Sequence, residues 1–277
     1  MSRAAVTVVL SGGGAKTAAH VGAVRAMIEA GAPPSRYVAT SMGAVIAAAL
    51  AGGCGSEELL VRLGEAGRAG VVREPVAVVR GLFARSLLRP APFRRAVEQL
   101  VPARRFADLS VPITVTTVDL DTGELVLFGE GGEDAPLIDV LCASCALPVY
   151  FPAATVAGRR CGDGGLRGPL PLDVAGRLAG DTVVAVDVGP GFDEVSGSAE
   201  AHSPPVVQAH DEAVGMLMAH ATALQLALWR AEATRPPLVY VRPRVERNAT
   251  FRIDRVRGYA EDGYRATRDA LRALRRA

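Results

Sequence analysis

Val6-Thr-Val-Val-Leu10 is an unbroken β-branched and aliphatic run that stops at Ser11-Gly-Gly-Gly14, the pattern of a buried strand ended by a turn. Apolar Ala19, Val21, Val24, Met27 and Ile28 then recur at three- and four-residue intervals, which predicts a helix. Gly31 and Pro33-Pro34 close it, as a C-terminal glycine and trailing prolines do. Tyr37–Thr40 reads as a second strand and Met42–Leu50 as a second helix. Strand, glycine turn, helix, strand, turn and helix in immediate succession predict βαβ units and a parallel sheet.

Residues 56–105 read as helical. Pro112–Val118 and Glu124–Phe128 are strand-like and flank Asp121-Thr-Gly123, a hairpin signal. A helix over about Leu137–Cys145 follows. Thr155–Cys161 then reads as one strand that ends in Gly162-Asp-Gly-Gly165. Leu172–Leu178 is predicted as helix and Thr182–Val188 as strand. Residues 190–208 are Gly-, Ser- and Pro-rich and predict a surface loop. Ala213–Arg230 is a long apolar helix, Leu238–Val241 a last strand, and Gly258 onward an Arg-rich helix. Neither an internal repeat nor an interdomain linker interrupts this order, so residues 1–277 are expected to form a single α/β domain.

Composition narrows the class. A chain of 277 residues that is 49% hydrophobic, with a formal charge of only +2, buries a sizeable core and is not disordered. So small a net charge also gives no case for nucleic-acid binding. Four cysteines show no framework spacing. Cys142, Cys145 and Cys161 lack a second Cys or His pair at ligand spacing, so they read as buried thiols rather than metal ligands; no metal or cofactor is expected. Residues 1–10 lack the length and cleavage pattern of a signal peptide. The apolar stretch Met42–Ala51 is about half the ~20 residues a bilayer demands, so it reads as a buried helix. The expected location is cytoplasmic, with peripheral membrane contact as an option. Residues 62–105 carry ten Arg against three acids and residues 242–276 eleven against five; such faces are ordinarily just solvated, but they can also hold a protein against an anionic surface.

Three segments carry candidate chemistry. Ser41, in Ala39-Thr-Ser-Met-Gly43 between a strand and an alanine-rich helix, matches the nucleophile elbow G-x-S-x-G with alanine at its first glycine. Such a turn projects the hydroxyl out of the sheet, and the helix behind it directs N–H groups and partial positive charge toward it. Read by itself, the same serine also fits a plain helix N-cap. Gly12-Gly-Gly-Ala-Lys-Thr17 leaves the amides of Gly12, Gly13 and Gly14 bare of side-chain cover, suited to an oxyanion or a phosphate. A phosphate-binding P-loop would need glycines where Leu10 and Ala15 stand. Asp163-Gly164-Gly165 by itself would be a β-turn. Together, however, the three segments supply the nucleophile, charge stabiliser and base of an acyl-transfer site. Of the four histidines, His20 reads as packing or orienting the glycine loop. His202, His210 and His220 carry no motif.

The chain resembles the patatin-like phospholipases. Gly12-Gly-Gly-Ala-Lys16…His20-Val-Gly22 followed by Ala39-Thr-Ser-Met-Gly43 is similar to that family's glycine loop and elbow. Val118–Glu124 and Ala143-Ser-Cys-Ala-Leu-Pro148…Phe151-Pro152 are similar to its middle segment, and Gly162–Leu166…Leu170-Pro171 to its Asp-Gly-Gly motif. The resemblance covers about residues 5–190; the part from about 209 to 277 matches only in helical character. It implies a three-layer α/β/α fold around a mostly parallel sheet and hydrolysis of lipid acyl esters. By it, Ser41 is the nucleophile, Asp163 its proton acceptor in a dyad, and Gly12, Gly13 and Gly14 the oxyanion-hole donors. Lys16, the only lysine of the chain, then orients the loop or favours negative charge, with Ala39, Gly43, Gly164 and Gly165 shaping the turns. Two positions depart from the pattern: Ala39, and Thr17, which replaces a glycine and fits if it begins the first helix.

The expected function is a serine acyl hydrolase of the phospholipase A or lysophospholipase kind, taking a lipid or acyl ester as substrate. The residues leave two other readings open: an inactive member of the same fold that binds lipid or protein, and a nucleotide-binding regulator built on the glycine loop. They do not specify an oligomeric state.

Overall fold

The computed structural model describes residues 5–70, 86–178, 180–191, 205–246 and 253–274. In chain order its main elements are β1 (Val6–Leu10), α1 (Ala18–Glu29), β2 (Arg36–Thr40), α2 (Met42–Ala51), α3 (Ser56–Gly70), α4 (Pro90–Leu100), β3 (Ile113–Asp119), β4 (Leu125–Gly129), α5 (Leu137–Ser144), β5 (Ala154–Val156), β6 (Arg159–Asp163), α6 (Leu172–Arg177), β7 (Thr182–Val186), α7 (Pro205–Ala231), β8 (Leu238–Val241) and α8 (Val256–Leu274). The parallel ladder runs β3-β2-β1-β7-β8, with β1 at its centre. Strands β4 and β6 join β3 antiparallel, and β5 extends from β6. The mostly parallel sheet is as the sequence predicts.

Both faces of the sheet are covered, which explains why β1 is apolar at nearly every position. Val8 and Leu10 point into a large core with Ala19 and Met27 of α1, Val45 and Ile46 of α2, Leu141 of α5 and Tyr259 of α8. Val9, Val38 and Ala185 face the other way, against Leu172 and Val174 of α6 and Leu226 and Trp229 of α7. This is the three-layer α/β/α arrangement. On the larger side α1 and α8 touch backbone to backbone: a Cβ on Gly22 would fall inside the Ala260 carbonyl, and one on Gly263 inside that of Ala19.

Three expectations are corrected. Thr155–Cys161 is not one strand but the hairpin β5–β6, turning through Ala157 (φ 49°) and Gly158 (φ 76°). Both residues are left-handed, as a type I′ turn requires; Ala-Gly lacks the Asn or Asp that announces such turns. Helix α7 begins at Pro205, within the predicted loop and well before Ala213, because proline suits a first helical position; residues 192–204 of that loop lie outside the described set. The helical reading of 56–105 resolves into α3 and α4, with 71–85 also outside it.

The register of β3 places the site. β4 occupies one edge of β3 from Thr114 to Val118. The other edge is shared in tandem: β2 pairs up to Thr40↔Thr116, and β6, running the opposite way, takes over at Thr117↔Asp163. The end of β2 therefore abuts the end of β6.

Candidate active site

Ser41 follows β2 directly and starts the turn into α2 at φ 55° and ψ −137°. A non-glycine residue at positive φ is uncommon, and it marks a tight turn or a strained functional position. Gly43 lets that turn close, since a Cβ there would press into the Ser11 and Leu10 carbonyls at the end of β1. Ala39, in contrast, lies fully buried in β2 with ordinary strand geometry, so no glycine is needed there.

Because β2 and β6 end against each other, Ser41 and Asp163, 122 positions apart, meet: Ser41 Oγ donates to Asp163 Oδ2 at 2.7 Å. The second carboxylate oxygen accepts the Gly165 N–H at 2.8 Å. Gly164 permits this turn, because a Cβ on it would collide with the Thr116 hydroxyl and carbonyl. Asp163 is only 4% exposed. Burial raises its carboxyl from 3.8 to about 6, against the opposing pull of the Ser41 and Gly165 hydrogen bonds. A proton acceptor poised near neutrality is what general-base work requires.

The glycine loop lies beside them. A Cβ on Gly12 would stand 3.2 Å from Ser41 Cβ, and one on Gly13 2.8 Å from the Val188 carbonyl. Gly14 adopts φ 59° and opens a short 3₁₀ turn, Gly14–Thr17. Thr17 is right-handed at φ −63° and caps α1, with its hydroxyl donating to the Gly14 carbonyl at 2.6 Å. The departure at Thr17 is therefore accommodated in the way the sequence allows. Gly12 requires a correction: its N–H donates to the Pro169 carbonyl at 3.0 Å. This long-range bond engages one of the three expected oxyanion donors. The N–H groups of Gly13 and Gly14 meet no acceptor among the described residues. Lys16 is buried within the 3₁₀ turn.

One feature of the site has no signal of its own in the sequence. The Ser41 N–H donates to Ser144 Oγ at 2.8 Å, and Ser144 Oγ donates to the Thr116 carbonyl at 2.8 Å. The Thr40 and Thr116 hydroxyls share a 2.7 Å hydrogen bond. Ser144 sits in the Ala143-Ser-Cys-Ala segment that carries part of the family resemblance, but nothing in its spacing indicates a tertiary partner.

Among the described residues, no histidine hydrogen-bonds to either member of the Ser41–Asp163 pair. His20 is fully buried and its Nε2–H donates to the Ser11 carbonyl at 2.9 Å. Burial lowers it to about 4, with that hydrogen bond opposing. It thus braces the glycine loop as a neutral ring. His210 pairs with Asp211 at 3.1 Å, His220 lies further along α7, and His202 is outside the described residues.

The patatin-like phospholipase family model matches residues 8–175. The chain belongs to this family. An uncharacterized NTE family protein of Mycobacterium tuberculosis is 29% identical over 187 residues, covering 66% of this chain and 49% of that protein. Patatin-like phospholipase domain-containing protein 6 of Homo sapiens is also 29% identical over 187 residues, covering 66% of this chain and 13% of its own. The chain thus spans about half the length of the mycobacterial relative and a small part of the human one. Among solved structures, VipD from Legionella pneumophila aligns at a TM-score of 0.48 with 14% identity, covering 98% of this chain and 67% of that one. No described helix of this patatin-like chain is long and apolar enough to cross a membrane.

Proposed function

We propose that this patatin-like protein hydrolyses acyl esters of lipids through a Ser41–Asp163 dyad. The observation that carries the reading is the 2.7 Å hydrogen bond from Ser41 Oγ to a buried carboxylate. As Ser41 Oγ attacks the ester carbonyl, its proton passes to Asp163 Oδ2. The tetrahedral oxygen then carries the negative charge and lies against the Gly13 and Gly14 amides. Its collapse breaks the C–O bond to the alcohol, which leaves with the proton from Asp163. Water then gives a proton to Asp163 as its oxygen attacks the acyl-serine carbonyl; collapse breaks the C–O bond to Ser41 Oγ, Asp163 returns the proton to that oxygen, and the acid leaves.

Two features support the assignment of effort within the site. Each oxyanion donor is typically worth ~3 kcal/mol, so two amides together match the contribution of the base. Holding Ser41 at positive φ also keeps its hydroxyl fixed toward Asp163, which removes the entropy of orienting it. Asp163 must be ionised to accept the proton. Turnover therefore rises as pH climbs through about 6.

The test is hydrolysis of a series of short and long acyl esters by the wild type, Ser41→Ala and Asp163→Asn. Both variants are expected to lose about four orders of magnitude in kcat/KM. A fluorophosphonate should label the wild type on Ser41 and leave Ser41→Ala unmodified. Equal turnover by Ser41→Ala would overturn the reading, and an unlabelled, inactive wild type would leave a binding module of the same fold.

A further inference from the structure

Helix α7 has two different sides. Inward, Leu226 and Trp229 pack on the sheet, and Met218 covers the Asp163 turn, its Cε 3.2 Å from where a Gly165 Cβ would stand. Outward, Met216, Leu217, Leu224 and Leu228 are 56%, 71%, 52% and 60% exposed. Between Ala213 and Ala231 there is no acidic residue and one cation, Arg230. Isolated exposed leucines are ordinary, but these recur on one side of the helix as a stripe over ~18 Å at 1.5 Å per residue, with the exposed His220 and the half-buried Ala221 between Leu217 and Leu224. Leu166, at the far side of the Asp163 turn, is a further 37% exposed.

We infer that the outer face of α7, whose inner side covers the Asp163 turn through Met218, docks this protein on the surface of a lipid bilayer; the inference rests on the acyl-hydrolase reading. Three observations choose a bilayer over a second protein molecule. The four side chains expose on the order of 450 Å², below the ~800 Å² per partner of a stable protein interface but of the size an interfacial helix inserts. The stripe is continuous with the helix that covers Asp163, so a protein seated there would crowd the site rather than feed it. A cleft of about 480 Å³ also runs beside the stripe, where Leu228 meets Arg167, Arg177, Glu124 and Asp173. Its mixed charges match a zwitterionic headgroup better than an anionic one. Arg167 has no ion-pair partner among the described residues, whereas Arg177 lies 3.9 Å from Asp173.

The Arg-rich segments offer a different surface. Arg62, Arg94, Arg105, Arg257 and Arg265 are each paired with a carboxylate, which leaves less unbalanced charge than their number suggests. Docking through α7 therefore depends little on anionic lipid or salt.

The experiment is flotation of the full chain, carrying Ser41→Ala, with phosphatidylcholine vesicles. No chemistry is required, so its outcome is independent of whether the dyad hydrolyses anything. Vesicle partitioning is expected to change less than twofold between 0.1 and 0.5 M salt, and to fall at least tenfold on adding Met216→Glu, Leu217→Glu and Leu224→Glu. Leu217→Glu alone should give a smaller loss in the same direction. Without Ser41→Ala, the triple variant should keep its turnover of a soluble short-chain ester, which also reports that it folds. The inference is overturned by unchanged partitioning of the triple variant, by no binding of the parent, or by binding that needs anionic lipid and vanishes in salt. A parent dimer in light scattering that the triple variant dissolves would assign the stripe to a second copy instead.

Discussion

The two faces of the sheet are finished in different ways. On one, α1 and α8 approach until Gly22 and Gly263 lie against opposing backbone, and the core contains Met27, Ile46, Leu141 and Tyr259 with almost no exposure. On the other, the six-residue α6 and the long α7 cover a smaller core, and α7 turns leucines outward. The proposed dyad straddles the two. Ser41 is held by α2 and by Ser144 of α5 on the tightly packed side, whereas the Asp163 turn lies beneath Met218 on the thinner side. Rigidity thus goes to the nucleophile's backbone, whereas the turn that carries the acid is covered by a side chain of α7.

The comparison breaks most directly at α1–α8. Gly22→Val should destabilise the fold by about 4 kcal/mol or more, because the intruding atoms meet backbone that cannot rotate away; thermal unfolding reads this, and a loss under 1 kcal/mol would show that the contact is loose. Asp163→Asn should have the opposite sign. The folded carboxyl sits near 6 against 3.8 unfolded, so the folded state holds the extra proton between those values. Wild-type stability then falls as pH rises through that window, leaving a penalty of about 3 kcal/mol at pH 8. Denaturant titration should find Asp163→Asn more stable than wild type at pH 8 and nearly equal at pH 4, while its turnover is expected to be lost.

Ser144→Ala should cost about 2 kcal/mol, because it removes the partner of a part-buried N–H and of a buried carbonyl. It should also lower kcat for a soluble ester about tenfold with KM little changed, as Ser41 loses its fixed geometry. His20 adds an acid limb: its ring falls from 6.5 to about 4 on folding, so its contribution is complete above 6.5 and is lost as pH drops through 4. His20→Gln should flatten that loss in acid unfolding curves. At the small end, Leu224→Gln on the outer face of α7 should change stability by no more than about 0.5 kcal/mol. A large loss there would mean that the thin side is a core after all.

What could be read from the sequence follows the range of the forces involved. The β1–α1–β2–α2 unit announces itself through local periodicity and punctuation, and Ser41 stands where strand meets helix. Asp163 emerges only in combination with the other motifs, since Asp-Gly-Gly is by itself an ordinary turn. The β5–β6 hairpin escapes because Ala157-Gly158 adopts a left-handed turn without the usual side chains. The Pro169 carbonyl on the Gly12 amide and the Ser144 bridge are pairings between segments remote in the chain, which no local pattern encodes. Ala39 and Thr17 look like departures in one dimension, yet the structure asks for positive φ at Ser41 and Gly14 and at neither of these.

The tandem edge of β3 has a consequence for the order of events as the chain folds. Thr116 and Thr117 are consecutive, and they hold the ends of β2 and β6 respectively. Hydroxyl and carboxyl are therefore spaced by one peptide step of a strand that supplies no reacting atom. Until both strands have zipped onto that template the pair does not exist, so any competence of the proposed dyad is a late acquisition, and its onset during refolding times the closure of the longest loop in the site.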